Sequence, residues 1–216
     1  MKKAVLLDFD GVVADSIEQS IARWDHNAKA YGNGMDVTAD VVRSNATGVW
    51  RIFYTEVLGI PADKVEEAGE FWRQLAQKDP LPPFFDGMKE VIESLSKDYG
   101  LYMLSSNSNE LIKKTFQSHD VIKYFKGIAG DVEVGNLDKT DPEYVLSVLR
   151  TWNLKPENVI YTGDTSDEVI GGRRAGVKTI GCAWGYQYES LIKAAGPDAI
   201  AKSPQEPPAV IARVLI

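Results

Sequence analysis

The sequence predicts an α/β fold in which a parallel sheet carries helices on both faces, with an all-helical region inserted after the first strand. Three observations support this prediction. Short apolar runs alternate along the chain with longer segments of helical periodicity. These runs end abruptly at polar or acidic residues, and residues 16–83 show helical patterns but no convincing strand. The composition, 44% hydrophobic and 25% charged, is that of an ordinary globular protein.

Five apolar runs are predicted to form the strands. They are Ala4–Leu7, residues 101–104, 158–162 and 177–182, and a short run at Ala199–Ala201. Helical windows lie between them at residues 88–97, 111–116, 143–152 and 168–175. This alternation favours parallel pairing, because two parallel strands need a crossover connection that is usually a helix.

The inserted region is predicted to contain helices at residues 16–31, 37–44, 50–58 and 62–77. Ser16 and Gln19 have the spacing of a capping box at the first of them. The region ends in Pro80-Leu81-Pro82-Pro83, a stiff extended connector. We therefore place one domain at residues 1–15 and 84–216, and a second at residues 16–83.

Charge and cysteine content restrict the partners and the compartment. The chain has 24 basic and 31 acidic side chains, a net charge of −7, which disfavours nucleic acid as a partner. Its longest apolar runs are far shorter than the roughly 20 residues of a membrane helix, and Asp8 interrupts the one N-terminal run that imitates a signal peptide. A single cysteine, Cys182, fits a reducing compartment. We expect a cytoplasmic protein, monomeric or homodimeric, with no nucleic-acid or membrane partner.

Polar side chains follow three of the predicted strands. Asp8 and Asp10 come after the first, Ser105 after the second and Asp164 after the third, while Lys139 precedes a helix start that Thr140 or Asp141 can cap. Ligands of open parallel sheets bind at the carboxyl ends of the strands, so these groups are expected to converge. Any one of them alone would be an ordinary turn or surface residue. Together they predict a phosphate site next to a hard divalent cation such as Mg²⁺.

The spacing of Asp8 and Asp10 also suits a reaction. Residues two apart on an extended chain point to the same side, so both carboxylates can face one substrate. One would act as a nucleophile and the other as a proton donor. Gly11 follows and permits a turn that bulkier residues would resist.

These segments resemble the motifs of the haloacid dehalogenase superfamily, in its phosphatase branch. Asp8-Phe9-Asp10-Gly11-Val12-Val13-Ala14-Asp15-Ser16 resembles the first motif closely. Ser105 matches the second motif, Lys139 the third, and Gly163-Asp164 opens the fourth. Ala183-Trp184-Gly185-Tyr186 looks like the segment after the fourth motif in phosphoglycolate phosphatase-like members. The resemblance implies a Rossmann-like three-layer core and identifies the inserted residues as an all-helical cap.

The resemblance also implies roles for the strand-end residues. Asp8 would attack phosphorus to form an aspartyl-phosphate, and Asp10 would act as general acid and then as general base. The side chains of Asp8 and Asp164, with the backbone carbonyl of Asp10, would hold Mg²⁺. Ser105 and Lys139 would bind the phosphoryl group, and the residues next to Ser105 are assigned to the same role: Ser106 and Asn107.

Two points stay open within the resemblance. The fourth motif often carries a further Asp four residues after its first, where this chain has Glu168 preceded by Asp167. Either of these two residues could complete the metal site or support it. In the cap, Arg43 and Arg51 are candidates for contacting a carboxylate or second phosphate of the substrate.

We expect a Mg²⁺-dependent phosphatase of a small phosphorylated metabolite, with phosphoglycolate as the leading substrate. The alternatives within the fold are a β-phosphoglucomutase-like phosphoryl transferase and a phosphonate or pyrophosphate hydrolase. A nucleotide-binding module without catalysis is disfavoured, because no Gly-x-Gly-x-x-Gly follows the first strand.

Overall fold

The computed structural model describes residues 3–135 and 137–214, which form an α/β fold around one parallel sheet. The strands are β1 (Ala4–Leu7), β2 (Gly100–Leu104), β3 (Phe125–Ala129), β4 (Val159–Gly163), β5 (Lys178–Cys182) and β6 (Ala199–Ala201). They pair in the order β3-β2-β1-β4-β5-β6, and every pairing is parallel. This confirms the predicted fold class.

The helices of the core flank the sheet. They are α5 (Met88–Asp98), α6 (Asn109–Ser118), α7 (Asp131–Val134), α8 (Pro142–Thr151), α9 (Ser166–Arg174), α10 (Glu189–Ala194) and α11 (Pro207–Val214). In the inserted region, helices α1 (Ile17–Tyr31), α2 (Ala39–Asn45), α3 (Trp50–Ile52) and α4 (Val65–Ala76) precede them.

Successive side chains of β1 point to opposite faces of the sheet, and each face carries its own apolar cluster. Val5 and Leu7 pack on one face of the sheet, with Ile92 of α5 and other residues of α5, α6 and α11. Leu6 points to the opposite face and packs with Tyr144 of α8 and its neighbours. Because both faces of β1 are covered by helices, the strand reads as a continuous apolar run in the sequence.

The sequence did not predict β3, α7, α10 or α11. The apolar run of β3 is broken by Lys126 and Gly127 and lies at the edge of the sheet, where its side chains are half-exposed. An edge strand needs no continuous apolar run, so the sequence signal is weak. The β3 backbone still matters for the site, because the carbonyl of Ala129 accepts a hydrogen bond of 3.0 Å from the N–H of Ser105.

Residues 16–83, the cap segment, form helices and turns and supply most of a third apolar cluster, which also includes Tyr186. The predicted helix at 50–58 is α3 followed by a π-helical turn over Phe53–Val57. The predicted helix at 62–77 begins as a 3₁₀ turn, Ala62–Lys64, before α4. The division of the chain into domains at residues 16 and 83 stays a prediction.

The capping box predicted at α1 is wrong. Ser16 is the N-cap residue by position, but its side chain does not bond to the helix backbone. Its hydroxyl donates to Asp10 instead, and the side-chain amide of Gln19 donates to the carbonyl of Pro80. At α8, by contrast, Asp141 caps the helix as one of the two candidates, accepting from the N–H of Glu143 at 2.9 Å.

Within the described residues, no helix combines the length and apolar character that crossing a bilayer requires.

Candidate active site

The strand order reverses between β1 and β4, and the carboxyl ends of these two strands carry the acidic residues of the candidate site. Asp8 follows β1, and its backbone N–H donates to the carbonyl of Thr162 on β4 at 3.1 Å. Asp164 follows β4 directly. A crevice outside the strand ends at such a reversal is the usual ligand site of an open parallel sheet.

Three buried carboxylates meet at this point. Oxygen atoms of Asp8, Asp164 and Glu168 all lie within 4.8 Å of one another. The Oδ1 atom of Asp8 is buried and has no hydrogen-bond partner among the residues that the structure describes. Burial, and next the negative charge of Glu168, raise the pKa of Asp8 and of Asp164 well above the ordinary range. Such a cluster is electrostatically unfavourable without positive charge, and it fits a divalent cation.

Lys139 supplies positive charge from the loop before α8. Its ammonium lies 3.1 Å from Oδ2 of Asp8 and 2.9 Å from Oε1 of Glu168. Burial opposes the charged form of this lysine, but Asp8 and Glu168 outweigh burial and raise its pKa. The side chain is 12% exposed and remains an ammonium. A fixed charge of this kind suits the binding of phosphoryl oxygens.

Gly11 allows the loop after β1 to pass close to Asp164. Its φ of +76° is in the left-handed region, and a Cβ atom there would overlap the Asp164 carboxylate. The same carboxylate accepts a hydrogen bond from the backbone N–H of Tyr186. Only glycine satisfies both the dihedral angle and this close approach.

Asp10 is oriented by a relay of hydroxyl groups that sequence analysis missed. Ser16 donates to Oδ1 of Asp10 at 2.7 Å, so Tyr186 must donate to Ser16 at 2.9 Å, and Ser20 in turn donates to Tyr186 at 2.8 Å. On the other side, the amide of Asn107 donates to Oδ2 of Asp10 at 2.9 Å. Ser16 and Tyr186 both stand in segments that match family motifs, which is the signal that could have identified them.

The residues after β2 line a cavity of about 1050 Å³ between the cap segment and the strand ends. Ser105 is buried, and its Oγ accepts from the N–H of Asn107 at 3.1 Å, a bond that does not use its own hydroxyl proton. Ser106 exchanges a hydrogen bond of 3.1 Å with the hydroxyl of Tyr144. Asp10 and Lys139 line the same cavity. Of the predicted groups, Asp10, Ser105 and Lys139 thus line one cavity, and Asp8 is buried in contact with Lys139.

A family model for haloacid dehalogenase-like hydrolases matches residues 5–182, most of the chain. The chain belongs to the haloacid dehalogenase-like hydrolases. This confirms the family predicted from the sequence, and with it the expectation of an enzyme of the phosphatase type.

Curated relatives and a solved structure agree with the family. This hydrolase is 30% identical over 189 residues to a phosphoglycolate phosphatase of Aquifex aeolicus, covering 85% of this chain and 86% of the relative. It is 26% identical over 198 residues to a pyrophosphatase, PpaX, of Bacillus velezensis, covering 90% and 89%. A haloacid dehalogenase-like hydrolase from Bacteroides fragilis superposes with a TM-score of 0.85, at 21% identity, covering 95% and 99%.

The two adjacent acids of the fourth motif point to different places in the hydrolase. Asp167 turns to the cap segment and accepts hydrogen bonds from the hydroxyl of Thr47 and from the backbone N–H of Gly48. Glu168 joins the carboxylate cluster. Its Oε1 accepts from Lys139 and Tyr161, and its Oε2 accepts three hydrogen bonds, from the N–H groups of Asp164 and Thr165 and the hydroxyl of Thr165.

These contacts occupy the lone pairs of Glu168. A carboxylate has about four lone-pair sites, and Glu168 accepts two hydrogen bonds on one oxygen and three on the other. It therefore suits holding Lys139 and the backbone after β4 in place. Asp8 and Asp164 are better suited to bind a cation directly.

The two cap arginines also differ. Arg51 lines the cavity, where its guanidinium pairs with Glu66 at 2.8 Å. Arg43 is not among the described residues that line the cavity, and its backbone carbonyl accepts from the N–H of Tyr188. Of the two candidates for substrate contact, only Arg51 stands beside the cavity.

Proposed function

We propose that this chain is a Mg²⁺-dependent phosphatase that hydrolyses a small phosphate monoester through an aspartyl-phosphate on Asp8. The observation that supports this most strongly is the environment of Asp8. One carboxylate oxygen is buried and has no hydrogen-bond partner in the described part of the chain, and the other lies 3.1 Å from the ammonium of Lys139. A nucleophile and a fixed cation are thus side by side, and the cation lines the cavity.

The donor set fits Mg²⁺. Carboxylate oxygens are the hard ligands that this ion prefers, and the unpartnered Oδ1 of Asp8 lies within a cluster of three acids. Asp8 and Asp164 would hold the ion with the backbone carbonyl of Asp10. When bound, Mg²⁺ would neutralise part of the negative charge of the carboxylates and the substrate phosphate.

In the first half-reaction, a carboxylate oxygen of Asp8 forms a bond to phosphorus while the ester P–O bond breaks. Asp10 donates its proton to the departing alkoxide, so the product leaves as a neutral alcohol. Ser105 and Lys139 hold the phosphoryl oxygens, where positioning and charge stabilisation supply most of the rate enhancement.

In the second half-reaction, water attacks the phosphorus of the aspartyl-phosphate. Asp10, now a carboxylate, removes a proton from that water. The bond between Asp8 and phosphorus breaks, inorganic phosphate leaves, and both acids return to their initial states. The hydroxyl relay through Ser16 and the amide of Asn107 keep Asp10 in place for both steps.

The names of the relatives suggest two substrates, phosphoglycolate and pyrophosphate, and the sequence also favours phosphoglycolate. Both remain predictions, as do transfer of the phosphoryl group to a sugar and hydrolysis of a phosphonate. A cytoplasmic location and a monomeric or homodimeric state also remain predictions.

The experiment is a phosphate-release assay over a panel of phosphate esters, phosphoglycolate and pyrophosphate. We expect release with Mg²⁺, loss after EDTA treatment and recovery when Mg²⁺ is added back. Asp8→Asn should abolish release, whereas the matched change Asp63→Asn on an exposed cap residue should leave it intact. Full activity after chelation, or in Asp8→Asn, would contradict the proposal, and isomer formation without free phosphate would instead indicate a mutase.

A further inference from the structure

The cavity above the strand ends is large for the substrates that the relatives' names suggest. Its volume of about 1050 Å³ is at the upper end of the range for small-molecule sites. Asp10, Ser105 and Lys139 lie on its core side. A compound as small as phosphoglycolate, with its phosphate at Lys139, would leave most of the cap side of the cavity unfilled.

The cap side is an aromatic wall formed by four residues, Trp24, Trp50, Tyr54 and Trp72. The guanidinium of Arg51 lies 4.3 Å from the ring centre of Trp50, and Tyr54 packs against the same ring edge-on at 5.1 Å. Cation–π and edge-to-face contacts of this kind hold the indole in a fixed orientation.

The rest of the wall is held in a similar way. Arg23 lies 4.6 Å from the ring centre of Trp72. The hydroxyl of Tyr54 accepts from the amide of Asn27 at 2.9 Å, and Asn27 is completely buried. Gly69 of α4 leaves room for Trp50, since a Cβ atom at this position would lie 3.0 Å from the indole. Contacts within the chain therefore hold the wall in place.

The charged residues of the cavity disfavour a second anionic group. Arg51, Arg73 and Lys114 line it, and each already pairs with a carboxylate, from Glu66, Glu70 and Glu110 respectively. Lys139 is the remaining cation among the described lining residues, and it serves the reacting phosphoryl group. A carboxylate or a second phosphate on the cap side would therefore meet cations whose charge is already balanced by neighbouring acids.

We infer that the aromatic wall binds the leaving group of the substrate, and that this group is an uncharged alcohol with a ring whose flat face stacks on Trp50. The ring is either a nucleobase or the C–H face of a sugar. This inference rests on the proposed phosphatase function and names its substrate class, an ester larger and less charged than phosphoglycolate or pyrophosphate. Trp50 is then a residue that determines specificity.

The test compares kcat/KM for five compounds with Mg²⁺. They are a nucleoside 5′-monophosphate, a hexose 6-phosphate, glycerol 3-phosphate, phosphoglycolate and pyrophosphate. We expect kcat/KM for at least one ring-bearing ester to exceed the values for glycerol 3-phosphate, phosphoglycolate and pyrophosphate by about 10-fold or more. Comparison of the nucleoside monophosphate with the hexose phosphate then distinguishes a nucleobase from a sugar.

Variants then test the wall itself. Trp50→Ala should lower kcat/KM for the preferred ring-bearing ester by about 10-fold to 100-fold, the range expected for loss of one stacking contact, and glycerol 3-phosphate should change less than twofold. Trp50→Phe should restore most of the loss. Ile52→Ala is the matched control, because this exposed residue of the same helix is not among the described lining residues.

Binding to Asp8→Asn, followed by tryptophan fluorescence, tests the inference without turnover. Ring-bearing esters should bind more tightly than phosphoglycolate. The inference would be overturned if ring-bearing esters bound no more tightly than phosphoglycolate, or if phosphoglycolate or pyrophosphate had the higher kcat/KM. It would also be overturned if Trp50→Ala lowered kcat/KM equally for every substrate. Hydrolysis of phosphoglycolate or pyrophosphate would leave the proposed phosphatase function standing. If no compound released phosphate, that result would count against the phosphatase function instead.

Discussion

The carboxylate of Asp167 in the core accepts a hydrogen bond of 2.7 Å from the backbone N–H of Gly48 in the cap segment. Gly48 itself lies against the stem of Lys139, where a Cβ atom on the glycine would be 2.7 Å from the Cβ of the lysine. The loop of the cap that Asp167 holds therefore covers the aliphatic part of Lys139. Asp167 acts on the site through the position of this loop, without joining the carboxylate cluster.

We expect Asp167→Ala to lower kcat/KM by about 10-fold, because one charge-assisted hydrogen bond typically contributes about 1.5–3 kcal/mol and here it fixes the loop over Lys139. The loss should fall mainly on KM. Asp167→Asn is the matched variant, since its amide oxygen can still accept from Gly48, and it should retain most of the activity. Steady-state kinetics would contradict this role if both variants had the kcat/KM of the wild-type protein.

Glu168→Gln should reduce kcat by about 10²-fold or more. The neutral amide removes one of the two negative charges that face Lys139, and its N–H₂ group has to face donors on either side, at Lys139 or after β4. Such unpaired donors also cost about 1–3 kcal/mol of folding free energy. Single-turnover kinetics measures the loss of rate, and chemical denaturation measures the loss of stability. Equal losses of kcat in Glu168→Gln and in the neighbouring Asp167→Asn would argue against separate roles for these two acids.

Asp10→Asn should slow turnover by about 10²–10⁴-fold for an alkyl phosphate, whose departing alkoxide needs a proton. The loss should be smaller for p-nitrophenyl phosphate, whose leaving group is stable as an anion. Ser16→Ala should show the same dependence on the leaving group with a smaller loss, about 10-fold, because it removes one hydrogen bond to Asp10. Equal losses for both esters would exclude Asp10 as the proton donor.

Mg²⁺ should raise the melting temperature. At a concentration 100-fold above Kd, the ion adds about 2.7 kcal/mol of stability, which corresponds to roughly 5–11 °C for a chain of this size. Without Mg²⁺, Asp164→Asn should melt at the same or a higher temperature, because it removes one of three buried like charges. The Mg²⁺-dependent shift should shrink in Asp164→Asn and persist in Asp63→Asn, as thermal unfolding with and without the ion would reveal.

The sheet and the acidic residues at the carboxyl ends of its strands were predictable, because they depend on short-range patterns in the sequence. The apolar run Ala4–Leu7 ends at Asp8, and the run at β4 ends next to Asp164, so parallel pairing alone brings the two acids together. The same reasoning could not find the edge strand β3, whose sequence is interrupted by Lys126 and Gly127.

The parts that could not be predicted depend on contacts between distant segments. The pairing of Ser16 with Tyr186 joins residues 170 positions apart, and the local signal at Ser16 favoured an ordinary helix cap. Likewise, Asp167 and Glu168 are adjacent acids on one helix, and only the position of the cap loop and of Lys139 separates their surroundings. Propensity and periodicity carry no information about such pairings.

The most direct measurement is mass spectrometry of the peptide that contains Asp8, after acid quench of the enzyme turning over substrate with Mg²⁺. We expect one phosphoryl group on Asp8, absent without Mg²⁺ and absent in Asp8→Asn. Steady phosphate release with Asp8 unmodified, and with activity retained in Asp8→Asn, would contradict the aspartyl-phosphate mechanism.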